Sequence, residues 1–297
     1  MTSRSRQVRV PASSGNLGPG YDVLGAALEV HLDLEVSEAG EFSVQAPGMD
    51  VPLDHENLIV RSFERLHSAD GLRFEVQSEI PLARGMGSSA SAIVAGIFAA
   101  DHLFELGNSR EELFALACEI EGHPDNVAAA IYGGIVVCAP PGILDRNGRM
   151  PAPVRLNPPE GVEGILVIPA DQVSTADARA AIPAEIPVED ATHNAAALGH
   201  LVAGIERSDL TLIERGLSDR LHQPRRRHLY ERSMEVLTAA RDLGALGATI
   251  SGAGPTVLVW SYWQSGGEVA KALAEACGDW AEIRRAPFTP LGARVEI

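Results

Sequence analysis

Apolar residues that alternate or recur at helical spacing divide the chain into strands and helices in mixed order. The first half predicts strands at Val8–Pro11, Glu29–Val36, Arg73–Ser78 and Gly133–Cys138, with helices at Asn57–His67, from Gly87 to about Leu106, and after a capping box at Ser109 and Glu112. The second half predicts strands at 164–169, 248–251, 256–260 and 293–297, with helices near 175–182, 190–206, 209–217, 228–243 and 267–277. This order indicates an α+β or α/β fold, and periodicity alone does not choose between them.

The segment Ala139–Glu163 interrupts the pattern with six prolines and several glycines. Such a composition is typical of a boundary between two folding units. We therefore predict an N-terminal lobe at 1–158 and a C-terminal lobe at 159–297.

Composition and charge narrow the function classes. The chain has 297 residues, and its 24 Lys and Arg against 40 Asp and Glu give a formal charge of 24 − 40 = −16. This balance argues against a partner that is a nucleic acid or an anionic membrane, because both need a basic surface. The longest apolar run is about half a membrane span, the N-terminus lacks a signal-like apolar core, and the three cysteines are isolated. We expect a cytoplasmic protein with reduced thiols.

The clearest chemical signal is the segment Pro81–Ala90, PLARGMGSSA, between a predicted strand and a long helix. Glycines let the backbone approach phosphate oxygens, and the unpaired N–H groups of a helix start favour an anion. Ser88 and Ser89 add hydroxyls for phosphate or Mg²⁺. A structural turn with a serine N-cap explains the segment alone equally well, and it matches neither a Walker loop nor a dinucleotide-binding fingerprint.

Pro81–Ala90 resembles the ATP loop of the GHMP kinases. Two flanking motifs match in order: Pro11–Gly25 resembles the N-terminal motif of the homoserine kinase branch, and Ser251–Thr256 resembles the C-terminal glycine loop. The resemblance implies ATP contacts throughout the loop, from Pro81, Leu82, Ala83, Arg84, Gly85, Met86, Gly87, Ser88, Ser89, Ala90 and Ser91.

The same resemblance sets the expectations for fold and activity. It implies a two-lobed α+β fold, with a lobe like ribosomal protein S5 domain 2 followed by a ferredoxin-like lobe. It also implies an enzyme of amino-acid and threonine biosynthesis that uses ATP and Mg²⁺ to phosphorylate the side-chain hydroxyl of L-homoserine. A homodimer is the family's suggestion, while the sequence leaves the oligomeric state and feedback by threonine open.

Two groups of polar residues are expected at the acceptor. By resemblance, Asn16 and Asp22 face the amino-alcohol, although Asx side chains in such a loop commonly bind turn backbone. Arg179 and Arg226 are expected to hold the carboxylate, since the guanidinium fork suits it, and Thr175 assists at the first arginine. The neighbours Arg225 and Arg227 leave the second assignment open.

The segment Glu121–Gly134 resembles the middle motif of homoserine kinases. Other GHMP kinases use an Asp base there, and the comparable position is Asn126, beside Asp125; both are catalytic candidates, and whether any carboxylate acts as base stays open. Glu121 with Ser89 resembles the Mg²⁺ pair, with Glu119 as an alternative, and His123 is a candidate substrate contact or a structural residue.

Two rival functions remain at this point. The chain could be another small-molecule kinase of the superfamily with a mevalonate-type acceptor, against which the two arginine segments count. It could also be a non-catalytic nucleotide or metabolite sensor, against which Ser89 and Glu121 count.

Overall fold

The computed structural model describes residues 4–140 and 142–296. Its strands are β1 Ser5–Gly15, β2 Leu24–Glu38, β3 Ser43–Gln45, β4 Leu72–Ser78, β5 Ile135–Val137, β6 Val154–Leu156, β7 Val162–Pro169, β8 Gly247–Ile250, β9 Val257–Tyr262, β10 Ala281–Arg285 and β11 Arg294–Glu296. Its α-helices are α1 Leu58–Phe63, α2 Ser88–Leu103, α3 Arg110–Glu121, α4 Asp125–Tyr132, α5 Thr175–Ala180, α6 Val188–Arg207, α7 Leu210–Gly216, α8 Glu231–Ala239 and α9 Gly266–Cys277. A 3₁₀ helix spans Pro224–Leu229.

The first sheet has the order β11-β1-β2-β4-β3, and β5 joins β2 and β6. The long strand β2 pairs β1 from Gly25 to Ser37 with one register shift, while β4 and β5 share its other edge. The buried, small-residue helix α2 packs on β1 and β2 together with α4. This packing places the start of α2 beside the end of β1.

The second sheet has the order β10-β7-β9-β8, and its pairs are antiparallel. In chain order this is 4-1-3-2, with helices between the first and second and between the third and fourth strands. That is the ferredoxin-like arrangement, so the expected two-lobed α+β fold is confirmed.

The lobes share buried apolar residues. Trp260 and Leu258 of the second sheet belong to the same core cluster as Leu28 of the first sheet and α2. The last strand, β11, returns to pair β1, so residues 294–296 complete the first sheet although they end the chain. The predicted boundary at 158/159 therefore assigns β11 to the C-terminal lobe, although this strand pairs with the first sheet. The boundary itself stays a prediction.

Several predicted elements differ in extent or were missed. The helix predicted from Asn57 to His67 ends at Phe63, and Asn57 is its N-cap. The helix predicted at 228–243 begins only at Glu231, because the extended backbone of Tyr230 separates it from the 3₁₀ helix. The pattern missed β3, β6, β10 and α4. Across the described ranges, no helix combines the length and apolarity that a membrane crossing requires.

Candidate functional site

A cavity of about 290 Å³ lies where the two lobes meet. Its walls are the β1–β2 loop, the loop before α2, the α3–α4 turn, α5, the 3₁₀ helix and the glycine loop at 252–253. Of the sequence-predicted residues it collects Asn16, Asp22, Ala83, Gly85, Gly87, Ser88, Ser89, Glu121, His123, Asp125, Asn126, Thr175, Arg179 and Arg226. Residues far apart in the chain therefore form one site.

Two glycines allow the loop before α2 to pack closely against Ser251 and Ser13. Gly85 has φ +76° and Gly87 has φ +68°, a region that L residues rarely adopt. A Cβ on Gly85 would overlap the Ser251 carbonyl oxygen, and one on Gly87 would overlap the Ser13 hydroxyl. No side chain caps the start of α2 in the described structure, so its N–H groups remain available to an anion.

Other members of the predicted ATP loop do not line this cavity. Met86 and Ala90 are buried in the core, and the Ser91 hydroxyl donates to the Pro11 carbonyl oxygen at 3.0 Å. Arg84 instead bonds the β7 end, with Nε 2.8 Å from the Pro169 carbonyl oxygen. In this structure their side chains contact the protein itself, and their predicted contacts with ATP stay predictions.

A second, mostly apolar cavity of about 260 Å³ adjoins the first. The two cavities share Ala83, Ser88 and Ser89, and Leu82 lines only the apolar one. Its other walls are Leu32, Ala46, Met49, Val51, Pro52, Glu56, Asn57, Leu58, Ile59, Val76, Ser78 and Ala92. Pro81 lines neither cavity.

Glu121 and Ser89 form an oxygen pair at the cavity wall. The Ser89 hydroxyl donates to Glu121 Oε2 at 2.6 Å. Burial raises the pKa of Glu121, while the Ser89 hydrogen bond opposes this shift. Glu119 instead pairs with Arg65 at 2.8 Å, and its side chain is 67% exposed. The geometry favours Glu121 over Glu119 as the partner of Ser89 in the predicted Mg²⁺ pair.

His123 lies between two carboxylates. Its Nε2 is 3.6 Å from Glu121 and its Nδ1 is 3.4 Å from Asp125. Burial lowers the pKa of His123, but Asp125 and Glu121 outweigh burial, so the pKa lies above the ordinary histidine value. A positive charge is therefore favoured at this wall of the cavity.

Asp125 and Asn126 begin α4 and are both buried. The Asp125 carboxylate accepts from the backbone N–H of Asn126 at 2.9 Å and from that of Asn16 at 3.2 Å. Asn126 Oδ1 accepts from the Ser13 hydroxyl at 3.0 Å. Asp125 thus links the start of α4 to the β1–β2 loop.

The β1–β2 loop is stabilised by Asn16. Its Nδ2 donates to the Gly252 carbonyl oxygen at 2.8 Å, and its Oδ1 accepts from the Asp22 backbone N–H at 3.0 Å. The turn-binding alternative thus describes the Asn16 amide in this structure. Asn16 links the β1–β2 loop to the glycine loop.

Asp22 and Arg179 form a two-fold ion pair across the cavity. Arg179 Nη1 and Nη2 lie 3.0 and 2.8 Å from the two carboxylate oxygens. Arg179 Nη1 also donates to the Tyr21 hydroxyl at 3.0 Å, and Thr175 lies one helical turn earlier on α5. Arg179, one of the two arginines expected to hold the substrate carboxylate, is thus already paired with a carboxylate of the protein.

Arg226 differs from its two neighbours. It is only 2% exposed yet lines the cavity, and its Nε donates to the Ala178 carbonyl oxygen at 2.7 Å. Arg225 points to Asp190 at 3.0 Å, and Arg227 is exposed. Neither neighbour lines the cavity.

Sequence reasoning missed Tyr21 and His222. The Tyr21 ring lies beneath both guanidinium groups, with Arg179 Cζ at 5.6 Å and Arg226 Cζ at 5.4 Å from its centroid. Tyr21 stands beside Asp22 in the first motif, which was a usable signal. His222 is buried beside Arg226. The only sequence signal for its role was its position four residues before Arg226.

Comparisons with known proteins identify the family of this chain. Residues 57–134 match the family model of the GHMP kinases N terminal domain, and residues 201–281 match that of the GHMP kinases C terminal. A homoserine kinase of Prochlorococcus marinus (strain MIT 9312) is 36% identical, with 96% of this chain and 93% of that protein covered. One of Synechococcus sp. (strain RCC307) is 40% identical, with 91% and 88% covered.

A solved structure shows the same architecture. The homoserine kinase of Cytophaga hutchinsonii superposes with a TM-score of 0.86 at 28% identity, over 100% of this chain and 98% of that one. The fold and the matched domains define an ATP-using small-molecule kinase of the GHMP class. Within that class, the chain belongs to the homoserine kinase family.

Proposed function

We propose that this chain transfers the γ-phosphate of ATP to the side-chain hydroxyl of L-homoserine, with Mg²⁺ as the metal. The observation that carries the proposal is the shared cavity: Arg179, Arg226 and Asp22 line the same space as the uncapped start of α2. One wall suits phosphate, and the opposite wall suits a zwitterionic amino acid.

The two adjoining cavities support a position for the nucleotide. Its base and ribose suit the apolar cavity, because that lining offers few polar partners. Its phosphates would cross Ser88 and Ser89, which both cavities share, and reach the start of α2. The γ-phosphate would then lie in the polar cavity with the acceptor.

Ser89 and Glu121 fit a Mg²⁺ ion bound to those phosphates. Both offer hard oxygen atoms and already lie 2.6 Å apart. Mg²⁺ commonly takes one or two protein oxygens and completes its shell with phosphate and water. The metal would neutralise developing phosphate charge.

The chain's own residues would act by positioning and charge. Asp125 is engaged by two backbone N–H groups, and Asn126 stands where other GHMP kinases carry a base. His123, with its raised pKa, can place positive charge near the transferring group. The acceptor hydroxyl can pass its proton to the phosphate itself, so no carboxylate base is required.

The acceptor would bind by exchanging partners with the Asp22–Arg179 pair. Its ammonium group can take Asp22, and its carboxylate can take Arg179 and Arg226. Mevalonate has a carboxylate but no ammonium group, so it would leave Asp22 without a partner. Asp22 is half-buried, and a partly desolvated charge that loses its partner is destabilised, which disfavours mevalonate. The cytoplasmic location and a homodimer stay predictions.

One coupled assay tests this proposal. ADP release is measured with homoserine, mevalonate, galactose and serine, each with ATP and Mg²⁺. Homoserine should give the highest kcat/KM. Faster turnover of mevalonate or galactose would overturn the acceptor, and no turnover of any acceptor by folded protein would favour the sensor alternative.

Glu121→Ala tests the metal pair. It removes a charge next to the expected phosphate site, so kcat should fall on the order of 10²-fold or more, with the thermal unfolding midpoint little changed. Glu119→Ala is the matched control, since Glu119 points to Arg65 at the surface. Equal loss in both variants would remove Glu121 from the metal site.

A further inference from the structure

His222 is a buried ionisable residue that the proposed reaction does not use. It lies on the segment before the 3₁₀ helix, and its side chain has no exposed surface. Its two ring nitrogens contact two different elements, the 3₁₀ helix and the β1–β2 loop. Nδ1 is 3.2 Å from Arg226 Nη1, and Nε2 is 2.8 Å from the Gly18 carbonyl oxygen.

These partners fix the tautomer of His222. A carbonyl oxygen only accepts, so Nε2 must carry the proton and donate to Gly18. A guanidinium only donates, so Nδ1 must be unprotonated and accept from Arg226. Burial lowers the pKa of His222 despite the nearby Asp219 carboxylate, which keeps the imidazole neutral.

The segment carrying His222 is itself held rigidly. Asp219 Oδ2 accepts from the backbone N–H of His222 at 3.1 Å and from that of Gln223 at 2.7 Å. Asn194 donates to Asp219 Oδ1 at 2.7 Å. The imidazole therefore projects from a fixed backbone towards Arg226 and Gly18.

We propose that His222 is a positioning residue that aims Arg226 at the acceptor carboxylate by accepting a hydrogen bond from Arg226 Nη1. Its other ring nitrogen holds the β1–β2 loop by donating to the Gly18 carbonyl oxygen. The proposal rests on the proposed function, because it assigns Arg226 to the carboxylate. Arg226 has no carboxylate at ion-pairing distance among the described residues. Its direction is therefore set by neutral acceptors: Ala178, Gly252 and His222.

Two variants separate the two bonds of His222. In His222→Asn the side-chain oxygen can replace Nδ1 and still accept from Arg226, while the bond to Gly18 is lost. In His222→Gln the side-chain nitrogen can replace Nε2 and donate to Gly18, while the bond to Arg226 is lost. Thermal unfolding of both variants reports the stability cost that each lost bond brings.

The expected result is a split in the Michaelis constants. His222→Gln should raise the KM for homoserine about tenfold and leave the KM for ATP unchanged, while His222→Asn should stay within about threefold of wild type. In an Arg226→Gln background, His222→Gln should have no further effect on the homoserine KM. A purely structural residue would lower activity with both substrates in proportion to unfolding.

The outcomes are distinguishable from failure of the proposed function. If wild-type protein does not phosphorylate homoserine, the function is wrong. If it does, but His222→Gln keeps a normal homoserine KM, or adds a full tenfold loss on top of Arg226→Gln, the positioning role is wrong. A homoserine KM raised more by His222→Asn than by His222→Gln would also overturn it.

Discussion

The two arginines that line the cavity differ in their burial and in the charge of their partners. Arg179 lies on α5, its side chain is 39% exposed, and Asp22 engages it through two bonds. Arg226 lies on the 3₁₀ helix, is almost fully buried, and bonds only neutral acceptors. One guanidinium is compensated before the acceptor arrives, and the other is not.

The difference concerns how much free energy each arginine can give to binding. An acceptor carboxylate that reaches Arg179 replaces an existing ion pair, so the net gain is small. At Arg226 the acceptor carboxylate meets a guanidinium that has no negatively charged partner in the part of the chain that the structure describes. Because this site is buried, water screens the attraction between the two charges only weakly. We expect the buried arginine to contribute more to affinity and the paired arginine more to selecting zwitterions.

The largest effect should follow loss of the buried arginine. Arg226→Gln keeps an amide donor for the surrounding carbonyl oxygens but removes the charge. The KM for homoserine should rise about 100-fold with little change for ATP, since a charge-assisted bond contributes about 1.5–3 kcal/mol. Thermal unfolding must show folded protein, and Arg226→Lys should recover only part of the loss because it lacks the fork.

Loss of the paired arginine should cost less. Arg179→Ala should raise the homoserine KM about tenfold, because one carboxylate contact is lost. The rise stays below that of Arg226→Gln because Asp22, freed from Arg179, can bind the acceptor ammonium more tightly. Asp22→Asn is the complementary variant and should narrow the preference for homoserine over mevalonate. A greater loss with Arg179→Ala than with Arg226→Gln would reverse the ranking of the two sites.

The sequence predicted the parts of this site that local motifs encode. The loop of Pro81–Ala90 and the presence of Arg226 in the cavity each follow from a short pattern, while the role of Arg226 at the substrate stays a prediction. Outside the site, the capping box at Ser109 likewise predicted the start of α3. The partners of these residues were not readable. The Asp22–Arg179 pair joins positions 157 residues apart, and His222 reaches Gly18 across 204 residues. Only the packing of one lobe on the other brings them together.

The same limit applied to the fold. Strong alternation predicted β2 and β4. Strands β3 and β6 have three residues each and lack the apolar run that predicted the equally short β5. Helix α4 was missed because Pro124 precedes it and alanines fill it, which resembles a turn followed by a buried run. Its position matters, since α4 carries Asp125 and Asn126 into the cavity wall.

The smallest expected effects come from the neighbours of Arg226, and they test the register on which the comparison depends. Arg225→Ala removes an ion pair to Asp190 that lies outside the cavity, and Arg227→Ala alters an exposed side chain. Partly exposed pairs contribute at most about 1 kcal/mol, so both variants should keep the homoserine KM within about twofold of wild type. Arg225→Ala should lower the unfolding midpoint slightly, because Asp190 anchors it to α6. If either variant raised the homoserine KM as strongly as Arg226→Gln, the buried guanidinium would not be the carboxylate partner, and the contrast with Arg179 would have to be drawn elsewhere.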